Sequence, residues 1–168
     1  MDTDIRLAGP HDAQALHQLQ LTLDQESQFM LLESGERELD AERLRTRLSD
    51  AANPSYTLIA FSNGAAAGYV DVGTAPYARA RATGHVVIGV AATHAGQGIG
   101  RALLVAAREQ ALIRGLRRLE LTVMEHNRRA LNLYLTCGYQ IEGLRRDVLT
   151  VDGKPVSEYY MALLLAPA

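Results

Sequence analysis

The feature that most constrains this chain is an apolar segment that runs into three alternate glycines and then into an amphipathic helix. The apolar segment covers residues 85–91 and predicts a strand, and the helix is predicted from about residue 98 to 114. A clean alternation over residues 118–124 predicts a second strand. The glycines between the first strand and the helix are Gly96, Gly98 and Gly100. A strand, a helix and a strand in this order predict a parallel pair joined by a right-handed crossover.

The rest of the chain predicts further strands and helices around this central unit. Helices are predicted at about 12–25, 40–51 and 127–136, and strands at 5–7, 56–61, 68–72, from residue 139, and at 157–164. Turn signals at Asn63-Gly64 and Asp152-Gly153 predict hairpins. We therefore expect an α/β fold with a mixed sheet and helices on both faces. No repeat or linker divides the 168 residues, so residues 1–168 are predicted to form a single domain.

Composition and charge argue against a nucleic-acid or membrane partner. The net charge is −2, and no apolar run approaches the ~18 residues of a membrane-spanning helix. The first six residues lack the basic and then apolar pattern of a secretory signal. Cys137 is the single cysteine, which excludes an intrachain disulfide. We therefore expect a cytoplasmic protein.

The glycine turn is suited to hold an anion. Glycines let the backbone approach a ligand closely, and a helix start adds unpaired N–H donors with a partial positive charge. Together these features predict a phosphate cradle, although a tight turn that needs glycines only for packing stays open as the alternative. A Rossmann fingerprint requires G-x-G-x-x-G, and a P-loop requires Gly-Lys-Ser/Thr, whereas Gly100 is followed by Arg101 and Ala102. We expect a pyrophosphate site of another kind.

A second segment, residues 127–143, supports this interpretation. Asn127 opens the predicted helix, Ala130 and Tyr134 share one of its faces, and Gly138-Tyr139 follows. The turn and this segment together resemble the GNAT superfamily of N-acetyltransferases. Its coenzyme motif is Arg/Gln-x-x-Gly-x-Gly/Ala, in which Gly98 and Gly100 fill the last two places. Ala95 stands where the family usually carries Arg or Gln.

The resemblance implies a largely antiparallel sheet of six or seven strands, acetyl-CoA as co-substrate, and no metal. It also implies that a backbone N–H of the strand before the turn binds the thioester carbonyl, and that Tyr134 donates a hydrogen bond to the leaving sulfur. The alternatives are a half-buried core tyrosine at Tyr134 and a plain helix cap at Asn127. The implied coenzyme-binding residues are Ile88, Gly89, Val90, Ala95, Gly96, Gln97, Gly98, Ile99, Gly100, Arg101, Asn127, Ala130 and Tyr134.

Catalysis is expected to proceed by direct attack of an amine, because Cys137 has no histidine near it in the sequence to activate it. The first candidates for the general base are His85 and Glu120, and a base that acts through water is a further possibility. Acceptor specificity is expected from residues 29–36 and from the final hairpin with Tyr159 and Tyr160. Less favoured candidates for the base are Thr122, Glu125 and Glu142.

The predicted function is transfer of an acetyl group from acetyl-CoA to a primary amine of a small molecule, an amino acid or a peptide. One alternative is a protein acetyltransferase that acts on lysines or N-termini, and another is a non-catalytic acyl-CoA-binding module. A homodimer is a further expectation, in which the apolar residues of the last strand either pair with a second copy or fill the core of the monomer itself.

Overall fold

The computed structural model describes residues 3–38 and 40–165. Its strands are β1 (Thr3–Leu7), β2 (Tyr56–Ser62), β3 (Ala65–Thr74), β4 (Thr83–Val90), β5 (Arg118–Met124), β6 (Gln140–Val151) and β7 (Lys154–Leu164). Its helices are α1 (Ala13–Glu26), α2 (Ala41–Ser49), α3 (Ile99–Ile113) and α4 (Arg128–Thr136), with short 3-10 turns at Pro10–Asp12 and Ala92–His94. The expected mixed α/β fold is confirmed.

The strands form one seven-stranded sheet in the order β1-β2-β3-β4-β5-β7-β6. Among the described strands, β4 and β5 form the parallel pair, and the other neighbours are antiparallel. β7 lies between β5 and β6, so it has no free edge for pairing with a second copy of the chain. Met161 and Leu163 of β7 pack in the core, and the edges of the sheet are β1 and β6.

Each face of the sheet is covered by its own pair of helices. Leu16 and Leu23 of α1 and Leu44 of α2 pack on one face, in a buried cluster with Ile59 and Tyr69 of the sheet. The larger cluster on the opposite face joins α3 and α4 to the sheet, and includes Leu103, Ala107, Tyr134, Val70 and Leu121. Burial on both faces explains why β2 reads as a nearly continuous apolar run. No helix within the described ranges is long and apolar enough to cross a membrane.

The sheet opens between its two central strands. β4 and β5 pair over only three positions, of which the last is His85 opposite Glu120. Beyond that point β4 stays paired with β3 as far as Val90, and β5 stays paired with β7 as far as Met124. The two strands therefore diverge into a wedge, and the glycine turn and the start of α4 both follow directly from the strand ends that form it.

Two strands are longer than their sequence signals predict. β3 begins at Ala65 instead of residue 68, and β7 begins at Lys154 instead of residue 157. In each case the added residues continue a hairpin whose turn has positive φ values, at Asn63-Gly64 and at Asp152-Gly153. Pairing with the neighbouring strand extends β3 and β7, although the added residues do not alternate between apolar and polar side chains.

Candidate functional site

The three glycines of the turn are required for two different physical reasons. Gly96 and Gly98 both have φ of +82°, in the left-handed region that side chains disfavour. A Cβ on Gly98 would meet nothing within 4 Å, so its backbone conformation demands glycine. Gly100 is helical, and a Cβ there would lie 3.1 Å from Cδ2 of Leu133 in α4. Packing alone therefore accounts for Gly100 but not for Gly98.

The start of α3 presents a cluster of backbone donors without a carboxylate. Gly98 is the N-cap in the left-handed conformation, and the bond from Ala102 N–H to its carbonyl closes the first turn. The N–H groups of the first turn therefore have no intrahelical acceptor. Ile99 is buried and anchors the turn in the core, whereas Ala95 and Arg101 are exposed. With no acidic residue in the first turn of α3, the N-terminal partial charge remains available to an anion.

The β4 side of the wedge alternates between the two faces of the sheet. Ile88 and Val90 pack against the core under α3, whereas Gly89 faces α1. A Cβ on Gly89 would lie 2.6 Å from Cδ1 of Leu23. Glycine at this position therefore lets α1 pack directly on β4, while the divergence from β5 starts earlier, after His85.

Helix α4 begins at a side-chain cap and carries a buried tyrosine. Oδ1 of Asn127 accepts a hydrogen bond from the N–H of Ala130 at 3.2 Å, which confirms the predicted cap. Its side-chain amide N–H groups make no bond to the described residues. Tyr134 is 7% exposed, and its ring centroid lies 5.9 Å from that of Tyr139. Burial raises the pKa of Tyr134, so its hydroxyl remains protonated at neutral pH. The hydroxyl makes no hydrogen bond in residues 3–38 and 40–165, and of the two hydroxyls only that of Tyr139 is a fully buried atom without a partner.

The two first-ranked base candidates lie side by side where β4 and β5 part. His85 is exposed and makes no hydrogen bond in the described part of the chain. Glu120 accepts bonds from Nε of Arg118 at 2.8 Å and from the hydroxyl of Tyr160 at 3.1 Å. Arg118 also binds Glu142, with Nη1 at 2.8 Å from Oε1. Glu120 thus belongs to a polar network that spans β5, β6 and β7, whereas His85 is free to meet a ligand.

Two contacts near the wedge were not foreseen from the sequence. The ring of Phe29, in the segment between α1 and α2, lies 5.2 Å from the ring of His126, between β5 and α4. Glu158 of β7 is 8% exposed and accepts a bond from Nη1 of Arg145 at 3.1 Å. Phe29 was expected in the acceptor region, whereas no motif marks His126.

Cys137 has the environment of a structural thiol. It is partly buried against the α3 and α4 core, and burial raises the pKa of its thiol despite an opposing effect of Arg101. A neutral thiol is a poor nucleophile, which agrees with the expected direct attack. In the described residues, no three His, Cys, Asp or Glu side chains gather as a metal site requires.

These features fit acetyl-CoA. The turn offers backbone donors for its phosphates, and the diverging strands leave a wedge lined by apolar side chains. A sheet that opens between two parallel strands, with a glycine turn that leads into the helix joining them, defines an acetyl-CoA-dependent acyltransferase of the GNAT type. The chain belongs to this class, since residues 16–139 match the Acetyltransferase (GNAT) family.

Solved structures agree with this assignment. An acetyltransferase of the GNAT family from Streptococcus pneumoniae is 32% identical, with a TM-score of 0.93 over 98% of this chain and 100% of that one. A phosphinothricin acetyltransferase from Sinorhizobium meliloti in complex with acetyl-CoA is 18% identical, with a TM-score of 0.86 over 99% and 90%. A ribosomal-protein-alanine N-acetyltransferase from Brucella melitensis is 24% identical, with a TM-score of 0.85 over 96% and 99%. A search of curated protein sequences found no match.

Proposed function

We propose that this protein transfers the acetyl group of acetyl-CoA to the primary amine of a small molecule, an amino acid or a peptide. The amine nitrogen attacks the thioester carbonyl, a C–N bond forms, and the C–S bond breaks. One proton leaves the amine, and the departing thiolate takes a hydrogen bond or a proton. The observation that carries the proposal is the Tyr134 hydroxyl, which is protonated, belongs to a side chain only 7% exposed, and makes no hydrogen bond to the described residues. Such a group is suited to donate to the leaving sulfur.

The coenzyme is assigned to the turn and to the wedge. Backbone N–H groups of residues 96–101 bind the pyrophosphate, and the side chains of Gln97 and Asn127 add amide donors. The small side chain of Ala130 lies one turn before Tyr134 on the same helix face, so it leaves room for the pantetheine arm. Backbone N–H groups at residues 88–90 bind the thioester carbonyl, where negative charge develops in the transition state.

We assign the general base to His85 in preference to Glu120. Both oxygens of Glu120 already accept hydrogen bonds, from Arg118 and from Tyr160. The imidazole of His85 has no such partner, and histidine exchanges protons readily near neutral pH. His85 precedes Ile88 by three strand residues, about 10 Å at ~3.3 Å per residue. Proton transfer from the amine to His85 therefore passes through water.

The acceptor is proposed to be small. The contact between Phe29 and His126 joins the α1–α2 segment to the end of β5, and we propose that it narrows access to the wedge from the α1 side. Glu120 and Glu158 lie on the nearby strands, but each is paired with an arginine, Arg118 and Arg145, so these carboxylates do not select between an ammonium and a carboxylate group. The structural neighbours include enzymes named for a small-molecule acceptor and for a protein acceptor. One is named for phosphinothricin and another for a ribosomal-protein alanine.

The decisive experiment compares Tyr134→Phe with Tyr139→Phe. Tyr139 is a matched control because it is also buried, lies next to Tyr134 and has an unpaired hydroxyl. Acetyl-CoA binding is measured by calorimetry, and thiol release is measured with a panel of amino acids, polyamines and short peptides. We expect Tyr134→Phe to bind acetyl-CoA normally and to lose ~100-fold or more in kcat. Tyr139→Phe should retain both properties.

Three results would contradict parts of the proposal. If the wild type did not bind acetyl-CoA at millimolar ligand, the assignment of the coenzyme site would be wrong. If Tyr134→Phe left kcat unchanged, Tyr134 would not be the donor to the leaving sulfur. If turnover were confined to long peptides, the acceptor would be a protein and not a small molecule.

A further inference from the structure

Arg129 of α4 lies directly beside the glycine turn. Its Nη2 is 3.7 Å from the position that a Cβ on Gly96 would take. One helical turn later, Leu133 contacts the start of α3 at Gly100. Arg129 and Leu133 are four residues apart in α4, and their partners Gly96 and Gly100 are also four residues apart. One face of α4 therefore lies along the turn and the beginning of α3. The packing of Leu133 thus fixes the place at which the guanidinium of Arg129 meets the turn.

The charges around Arg129 favour an anion as its partner. Arg129 is exposed, and no carboxylate of the described residues lies within 4 Å of it. The first turns of α3 and α4 both lack acidic residues, although helix N-termini favour them. On the strand side of the turn, the carboxylate of Glu26 is engaged with the backbone, since it accepts from the N–H of Ala92 at 2.7 Å. An unpaired cation at a helix N-terminus opposes the helix dipole, so Arg129 does not serve the stability of α4.

We infer that Arg129 binds the pyrophosphate of acetyl-CoA and supplies, from α4, the cationic side chain that Ala95 lacks. The inference rests on the proposed coenzyme site and adds a residue that neither motif contains. A guanidinium presents parallel N–H donors that match two phosphate oxygens, and such charge-assisted bonds are stronger than those of neutral donors. Gly96 has no side chain to separate Arg129 from the backbone donors of the turn.

The test uses the variants Arg129→Gln and Arg128→Gln with three ligands. Arg128 is the matched control because it is also exposed and adjacent in the first turn, but it points to a different side of the helix. The ligands are acetyl-CoA, acetyl-CoA without its 3′-phosphate, and S-acetylpantetheine, which has no pyrophosphate. We expect Arg129→Gln to raise the Kd of the first two ligands by about tenfold or more, and to leave that of S-acetylpantetheine unchanged. Arg128→Gln should change none of the three by as much as threefold.

Several outcomes would overturn the inference. If Arg129→Gln weakened the binding of S-acetylpantetheine equally, the variant would disturb the site as a whole. If it weakened the binding of acetyl-CoA only when the 3′-phosphate is present, Arg129 would be assigned to that phosphate. A lower melting temperature of the ligand-free Arg129→Gln protein would show a structural role. Arg129→Lys, which keeps the charge but not the planar fork, should show an intermediate Kd. If the wild type bound none of the ligands, the proposed function itself would fail, which is a separate result.

Discussion

Replacing Gly98 with alanine tests whether the site needs the shape of its turn. The φ of Gly98 is +82°, and an added Cβ meets no atom within 4 Å, so the substitution adds backbone strain without a clash. A left-handed conformation costs a residue with a side chain about 1–2 kcal/mol. For a chain of this length, that loss lowers the melting temperature by about 2–8 °C. Thermal unfolding followed by circular dichroism measures it directly.

The same strain should weaken coenzyme binding. The strain lowers the melting temperature only as far as the free variant keeps the left-handed turn. As far as the free variant leaves that conformation, binding must restore it, and a cost of about 1–2 kcal/mol that falls entirely on binding corresponds to an increase of about 5–30-fold in the Kd for acetyl-CoA, which calorimetry resolves. Gly64→Ala is the matched control, since Gly64 has the same φ of +82° and open space around a Cβ, but lies in the β2–β3 hairpin.

The control variant should lose stability and bind acetyl-CoA as the wild type does. The reasoning would be refuted if Gly98→Ala kept both the melting temperature of the wild type and its Kd for acetyl-CoA. It would also be refuted if Gly64→Ala weakened binding to the same degree, because the effect would then follow stability in general.

Three further substitutions probe the framework of the site. Asp12→Asn should lower the free energy of unfolding by about 2 kcal/mol at pH 7, because the buried carboxylate accepts two bonds of 2.7 Å from Arg6. Since the Arg6 bond holds the pKa of Asp12 below its ordinary value, the difference from the wild type should shrink below pH ~4 in urea titrations. Tyr139→Phe should raise the free energy of unfolding by about 1 kcal/mol, because it removes a buried hydroxyl without a partner; a fall would indicate a hidden partner. Gly89→Ala should destabilise by about 1–3 kcal/mol through its clash with Leu23, and an unchanged melting temperature would show that α1 shifts freely.

The elements that carry the proposed coenzyme site were predictable because their signals are local. The strand, turn and helix over residues 85–114 combine apolar periodicity with glycines, and the structure places them within two residues of the predicted bounds. The cap at Asn127 and the β6–β7 hairpin also depend on residues adjacent in the chain. The extra lengths of β3 and β7 were missed because pairing with a neighbour, and not their own sequence, makes those residues strands.

The acceptor side was much harder to predict, because it is built from contacts between distant parts of the chain. Phe29 and His126 are almost one hundred positions apart and belong to segments without a regular pattern. The bond between Glu120 and Tyr160 requires the strand order in which β7 lies beside β5. The position of Arg129 likewise follows from how α4 packs on α3. Each of these contacts depends on tertiary packing, which the periodicity of the sequence does not predict.

The packing of α1 links the two sides of the proposed site. Glycine at residue 89 lets Leu23 approach β4, and the end of α1 then reaches the segment before the turn, where Glu26 binds the N–H of Ala92 at 2.7 Å. The segment that follows α1 carries Phe29 to His126, at the entrance to α4. A shift of α1 would therefore move the turn and the acceptor entrance together. Coenzyme binding at the turn should for this reason also affect the proposed acceptor side.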